Sequence, residues 1–300
     1  MATDLPSRLD VLVVGAGPTG LVLAAELRRH GLSVRIIDKA AGPTVWSKAQ
    51  AIQARTLELL EQMGIADRFL LRGQLLHTLS MYTRDGKRLF KVEIGDVDSA
   101  YPYMLSLPQR DTEELLIKYL AELGIPVERH VRLSDLKQNE SEVTAQLMHT
   151  PASDQPASSR ADSPELVRAA YVVGCDGTHS TVRSLLGIDF VGSTYLRRIL
   201  HADVRIDWPL QHAEDEVVGM VAEAGPLGAF PLPARPEQPG ERRYRLVAFD
   251  AGLAPTLENF QYLLQTRGPI GAQLSAPSWM TEHSVHCRLA ARFAVGRVFL

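Results

Sequence analysis

Three glycines, Gly15, Gly17 and Gly20, follow directly on a short apolar run and open a helix-forming stretch, and no other feature constrains the chain as much. Residues 10–14, DVLVV, suit a buried parallel strand. Residues 21–29 read as a helix, with Gly31 available to close it. Between them lies Gly15-Ala16-Gly17-Pro18-Thr19-Gly20, which fits G-x-G-x-x-G. The first glycine permits the tight turn, the second lets a pyrophosphate approach the backbone, and the third lets helix pack on strand. Pro18 is tolerated in the first helical turn, and the N-terminus there offers free N–H groups and partial positive charge to phosphates. Residues 33–37 form the second strand. Asp38 stands at its end, eighteen positions after Gly20, where a carboxylate accepts hydrogen bonds from ribose hydroxyls. A lone glycine motif is weak evidence; the order strand, turn, helix, strand, carboxylate points to a bound dinucleotide.

The text downstream is not that of a chain made only of βαβ units. A helix is expected over residues 52–63, ended by Gly64, and then two strands, 75–82 and 88–94, turn around Asp85-Gly86. A second helix starts at Asp111, with Glu114 three places on as in a capping box, and ends at Gly124. Strands at 131–136 and 142–148 follow. Residues 149–165, rich in Pro, Ser, Ala and Asp and without periodicity, read as a solvated surface loop. Beyond residue 192 the pattern is mostly alternating strands, with one helix near 257–265.

A second glycine motif, Tyr171-Val172-Val173-Gly174-Cys175-Asp176-Gly177, follows another strand, so Asp176 falls at a strand's carboxyl end, where open α/β sheets bind ligands. Asp-Gly by itself is a common turn; with the first motif it becomes a site. Cys175 inside it reads as a small buried residue under the turn rather than a redox group.

Together VVGAGPTGLVLAAELRRHG, QARTLELLEQMGI, LPQRDTEELL and YVVGCDGTHSTVRSLLGI resemble the FAD-dependent aromatic hydroxylases related to para-hydroxybenzoate and phenol hydroxylases, the group A flavoprotein monooxygenases. The resemblance is specific from residue 10 to 187 and looser after that. It implies a two-domain α/β (α+β) fold: a Rossmann-like FAD-binding domain, residues 1–73 with 104–187 and 288–300, and an inserted, mainly β substrate domain, residues 74–103 with 188–287. It also implies that Gly15, Gly17, Pro18, Thr19 and Gly20 hold the FAD pyrophosphate and that Asp38, with Lys39, holds the adenosine ribose, where many relatives have Glu. Gln109 would reach the ribityl or pyrophosphate region, and Val131 would offer its backbone to adenine. Asp176 and Gly177 would serve FAD and NAD(P)H, and Lys48 stands where relatives carry Arg, keeping the charge but losing the bidentate fork. The implied reaction takes hydride from NADPH or NADH, forms a flavin hydroperoxide with O2, and hydroxylates a phenolic or related aromatic substrate. No catalytic base is assigned.

A slightly negative net charge of −3 without basic runs argues against nucleic acid as a partner, and no apolar run is long enough to span a bilayer. Two cysteines and an N-terminus without a signal-peptide layout suit a reducing cytoplasm, and a homodimer is an admissible assembly. The nine histidines show no metal-ligand pattern; His283 and His286, three apart on a strand, should face opposite ways. Residues 296–300 read as a core strand that stops short of the Gly-Asp motif of relatives, so the expectation is an interrupted chain. Two other readings stay open: a halogenase, epoxidase or reductase on the same fold, although the Trp-x-Trp-x-Ile-Pro signature of flavin halogenases is missing, and a non-catalytic nucleotide-binding fragment.

Overall fold

The computed structural model describes residues 8–44, 49–150, 164–235, 237–238, 240–250 and 252–300. Lys48 and residues 151–163 of the proposed surface loop lie outside them. The chain divides into two compact units, residues 1–47, 109–191 and 289–300 in the first and 48–108 with 192–288 in the second.

Five parallel strands form the centre of the first unit, in the order Val298–Phe299, Glu165–Gly174, Leu9–Val14, Val34–Ile37, Val127–Glu128. Val11, Leu12, Val13 and Val14 are all buried, which is why this strand reads as a continuous apolar run rather than an alternation. Helix Pro18–Arg29 turns Leu21, Ala24 and Ala25 inward, an i, i+3, i+4 stripe that buries against the sheet. It starts at Pro18, in the position where a missing N–H costs nothing. Helix Gln109–Glu122 packs beside it and begins two residues before the expected Asp111. Pro108 precedes it, and buried Glu113 ties the start down, accepting from Gln109 Nε2 at 2.9 Å and from Thr44 N at 2.8 Å. An antiparallel pair, Val131–Gln138 and Val143–His149, continues the sheet from strand Glu165–Gly174.

One arginine joins three of these strands. Arg35 meets Glu128 through Nε and Nη2, at 2.6 and 2.7 Å, and Glu165 through Nη1 at 2.6 Å; His149 Nε2 is 2.8 Å from Glu165. Residues 93 and 130 positions away in sequence are thereby fixed to one guanidinium.

The second unit is built on a seven-stranded sheet ordered Gln273–Ala290, Phe190–Asp207, Arg243–Asp250, Leu227–Leu232, Glu216–Met220, Thr78–Tyr82, Arg88–Glu93. Leu200, Ala202, Val204 and Ile206 alternate into one face and pack with Tyr244, Leu246 and helix Leu257–Arg267 through Phe260, Leu263 and Leu264. The expected strand 75–82 is two strands. Gln74–Leu76 pairs with Met104–Ser106 in a separate three-stranded sheet that also holds Ala51–Ile52, whereas Thr78–Tyr82 enters the large sheet. The Ser106 hydroxyl donates to Pro231 O at 2.7 Å, and these contacts group residues 48–73 and 104–108 with the β-rich unit.

Two stability outcomes follow. His130 holds φ 59°, a left-handed conformation that costs an L-residue roughly 1–2 kcal/mol, while its N–H bonds Ala40 O and its C=O accepts from Thr150 N. His130→Gly keeps both bonds and should raise the unfolding free energy by up to about 1 kcal/mol, after glycine's extra freedom in the unfolded chain. A lowered denaturation midpoint would show instead that the imidazole makes contacts worth more than the strain. Arg35's hydrogen bonds hold the Glu165 carboxyl below its ordinary 4.5, against the opposing effect of burial. A depressed carboxylate stabilises above its unfolded pKa, and that stabilisation is lost as pH falls through the folded value. Glu165→Gln should therefore cost stability at neutral pH, about 1 kcal/mol or less for a pair this exposed. Denaturation curves of the two proteins should converge in acid; a gap that persists there would rule out the charge as its source.

Candidate functional site

The two glycine motifs meet in the first unit. Gly15 has φ 106°, and a Cβ placed on it would lie 2.5 Å from Cys175 O. A Cβ on Gly20 would lie 1.9 Å from Gly15 O, so any side chain there pushes the helix off the loop. Gly17 differs: a Cβ on it would meet nothing within 4 Å, so the space beside this residue is open to an incoming group. Gly17 is the N-cap of helix Pro18–Arg29 and no side chain caps that end. The first-turn amides are thus left for a ligand, and phosphate is what such an end attracts.

A cavity of about 240 Å³ opens at this edge of the sheet, bordered by Gly15, Gly17, Asp38, Lys39, Val131, Cys175, Asp176 and Gly177 among others. Seven residues singled out from sequence therefore border one space. Pro18, Thr19 and Gly20 form the adjoining helix start. Gln109 is not among the cavity residues; its amide is turned to Glu113. Arg132, Leu133 and Thr181 also border the cavity and were not foreseen. Arg132 and Leu133 carry no signal beyond following Val131, whereas Thr181 stood within the quoted GCDGTHSTVR string.

Asp38 is more occupied than a bare ribose acceptor would be. Its Oδ2 accepts from Ala16 N at 2.6 Å and its Oδ1 from Ala40 N at 2.7 Å, with Arg129 Nη1 3.7 Å away. Each carboxylate oxygen still has a second lone pair for a ribose hydroxyl. The backbone N–H of Val131 is spent on Asp38 O at 3.0 Å. Asp176 supports the start of the short helix Thr181–Leu185, whose N-cap is Ser180: its Oδ1 accepts from Ser180 Oγ at 2.5 Å and its Oδ2 from Thr181 N at 2.6 Å. Burial first, and then the neighbouring Asp176 charge, push the Cys175 thiol up to about 11, so it stays protonated and unreactive at neutral pH. Open backbone at Gly17, an uncapped helix start and a strand-end carboxylate together fit the pyrophosphate and adenosine of FAD.

The second unit holds a polar cluster that sequence did not reveal. On the sheet face opposite the helix, Arg245 is 1% exposed and grips Asp203 bidentately, at 2.7 and 2.8 Å. Its guanidinium lies 4.8 Å from the ring centre of Trp279. His201 sits beside Trp279 and, edge-on at 4.9 Å, His283; burial, then His283 and Arg245, bring its pKa down to about 3. The imidazole is therefore neutral at ordinary pH. His286 lies elsewhere, 2.8 Å from Thr194 Oγ1. Among the described residues no group of three or more acidic, His or Cys side chains is arranged to hold a metal, and no described helix is long and apolar enough to cross a membrane.

Comparison with known proteins agrees with this geometry. The profile of a family described as FAD binding domain matches residues 8–300. Rifampicin monooxygenase from Streptomyces venezuelae is 34% identical over 308 aligned residues, which cover 97% of this chain and 57% of that protein. 6-Methylpretetramide 4-monooxygenase from Streptomyces rimosus is 35% identical over 302, covering 97% and 50%. Among solved structures, the anhydrotetracycline hydroxylase OxyS of Streptomyces rimosus superimposes with a TM-score of 0.67 at 32% identity, over 98% of this chain and 56% of that one. The chain spans about half the length of the curated relatives it matches.

Because Asp176 spends both oxygens on the helix cap, its loss should be felt without any ligand. Asp176→Ala should lower the unfolding free energy of the ligand-free protein by about 1–2 kcal/mol, the usual value of an N-terminal cap. An unchanged melting temperature would leave ligand contact as the carboxylate's main duty.

Proposed function

Since the chain belongs to the FAD-binding-domain family of the group A flavoprotein monooxygenases, we propose that it is the cofactor-binding and substrate-binding portion of an NAD(P)H-dependent monooxygenase that hydroxylates phenolic or related polycyclic aromatic compounds with O2. The single observation that carries the cofactor half is the convergence of Gly15, Gly17, Asp38, Val131 and Asp176 on one cavity at the carboxyl edge of a parallel sheet. The substrate class is supported by relatives named for rifampicin, 6-methylpretetramide and pentachlorophenol, all of which carry the name monooxygenase.

FAD, when bound, would supply the redox chemistry, taking hydride from a nicotinamide and activating O2. The chain's own tasks are binding and orientation. The Gly15–Gly20 turn presents backbone N–H groups to the pyrophosphate, and Asp38 fixes the ribose while bracing Ala16 and Ala40 on either side. Asp176 and Ser180 keep the second turn in shape beneath the first. In the β-rich unit, partly exposed Trp279, packed beside buried and uncharged His201, offers a ring face suited to an aromatic substrate. Arg245 presents no free charge there for a carboxylate, because Asp203 neutralises it.

Titrating the purified chain with FAD while recording its visible spectrum tests the proposal. A resolved bound-flavin spectrum and quenched flavin fluorescence are expected, followed by phenol-stimulated NAD(P)H oxidation; a protein that stays colourless in excess FAD would defeat it. Asp38→Ala should weaken FAD binding by about 1–3 kcal/mol, the cost of leaving a ribose hydroxyl without its acceptor. Asp38→Asn keeps an acceptor for only one of Ala16 N and Ala40 N, so ligand-free melting temperatures of both variants are needed to separate the ribose loss from loop disorder. Equal FAD affinity in native and Asn forms would take ribose recognition away from the carboxylate charge.

A further inference from the structure

The cavity carries one cation, Arg132, that the FAD reading leaves without a task, beside Lys39, which that reading already places at the adenosine ribose. Lys39 and Arg132 both border it, next to Asp38 and Val131, and both are exposed. Among the described residues neither has a hydrogen-bond or ion-pair partner. The two carboxylates bordering the same space do not neutralise them. Asp38 is held by the amides of Ala16 and Ala40 and lies 3.7 Å from a third cation, Arg129, while Asp176 is committed to Ser180 and Thr181. One guanidinium, Arg132, and one ammonium, Lys39, thus border the cavity without a carboxylate of their own.

The order of the dinucleotide along the sheet says what would lie there. The pyrophosphate goes to the glycine turn after strand Leu9–Val14, and the ribose to Asp38 at the end of the next parallel strand, Val34–Ile37. The chain of bonds then continues outward in the same direction, and the next element with residues on the cavity is the start of strand Val131–Gln138, which brings Val131, Arg132 and Leu133. An adenine ring following that order would fall among Lys39, Val131, Arg132 and Leu133. Adenine is uncharged at neutral pH, so it offers these cations no counter-ion; what it offers is a π face. A planar guanidinium stacks on such a face, and an unpaired exposed one does so without first giving up an ion pair. Val131 and Leu133, on either side of Arg132 in the strand, turn into the core and leave the outward face to Arg132.

On the reading that FAD occupies this cavity, we propose that Arg132 is an adenine-binding residue, stacking its guanidinium on the adenine face with Lys39 as a second cation at the ring edge. The adenosine half of the cofactor, not the flavin half, then determines much of the affinity. Flavin mononucleotide, which lacks that half, gains nothing from either residue.

Dissociation constants of the native protein, Arg132→Gln and Arg132→Lys for FAD, ADP, inorganic pyrophosphate and flavin mononucleotide test this, using flavin fluorescence and competition. Arg132→Gln should weaken FAD and ADP by the same factor, roughly 3- to 10-fold for one cation–π contact, and leave pyrophosphate and flavin mononucleotide unchanged. Arg132→Lys should recover part of the loss, since it keeps the charge without the plane. Unaltered FAD affinity in Arg132→Gln overturns the inference. So does an equal loss for ADP and pyrophosphate, which would make Arg132 a phosphate contact. Because the side chain is exposed and unpaired, the ligand-free melting temperature should not move; a fall in it with equal weakening of all four ligands would assign Arg132 a structural role instead. Native protein that binds neither FAD nor ADP removes the FAD reading and this inference together, whereas native binding with an indifferent Arg132→Gln removes the inference alone.

Discussion

Backbone meets backbone without side chains between at the junction of the two glycine motifs, and the cofactor cradle depends on that contact. Gly20 sits so close to Gly15 O that a Cβ would lie 1.9 Å from it, and Gly15 in turn sits against Cys175 O and the Cα of Asp176. Two segments far apart in sequence are thereby stacked at one strand edge: the first turn with the start of helix Pro18–Arg29, and the turn after strand Glu165–Gly174. The stack aims the open end of the helix at the cavity. It also explains the glycine at position 20, because the Cβ of Cys175 lies only 3.1 Å from where a Cβ on Gly20 would be. A thiol kept protonated by burial is a consequence of that packing, not a sign of chemistry.

Charge then acts on a scaffold already fixed by shape. At the opposite end of strand Val34–Ile37 from the start of the strand's partner network, Arg35 gathers Glu128, Glu165 and, through Glu165, His149. One strand thus carries a structural ion network at Arg35 and a ligand-facing carboxylate three residues later at Asp38. The two jobs call for different environments. Arg35 is saturated by two bidentate or near-bidentate partners, while Asp38 keeps lone pairs free and stands next to cations that have no partner of their own. Only the second arrangement leaves interaction energy available to a ligand.

Much of the first unit was legible because its signals are local. A glycine spacing, an apolar strand and a carboxylate at the next strand's end each depend on a few adjacent residues, and the strand, helix, strand order followed from them. What was not legible depended on pairing. The single apolar stretch at 75–82 gives no sign that Leu76 and Thr78 belong to different sheets, because that break is decided by the distant partners Met104–Ser106 and Glu216–Met220. The helix at Gln109 begins early because Glu113 reaches Thr44, a contact across 69 positions. The Asp203–Arg245 pair and its neighbours His201 and Trp279 were invisible for the same reason: on each strand they look like ordinary polar interruptions, and only the register of Asp203 opposite Arg245 makes them a cluster. Arg132 escaped because an exposed arginine on a strand ordinarily means solvent.

The aspartate at position 38 connects these strands of reasoning. Glutamate, usual in relatives, is one methylene longer and can extend past the loop toward a ribose. Aspartate, with the shorter reach, draws back onto Ala16 N and Ala40 N at 2.6 and 2.7 Å and becomes part of the loop's own framework. Each oxygen keeps one lone pair beyond those bonds, so a single carboxylate both braces the loop and remains an acceptor for a ribose hydroxyl.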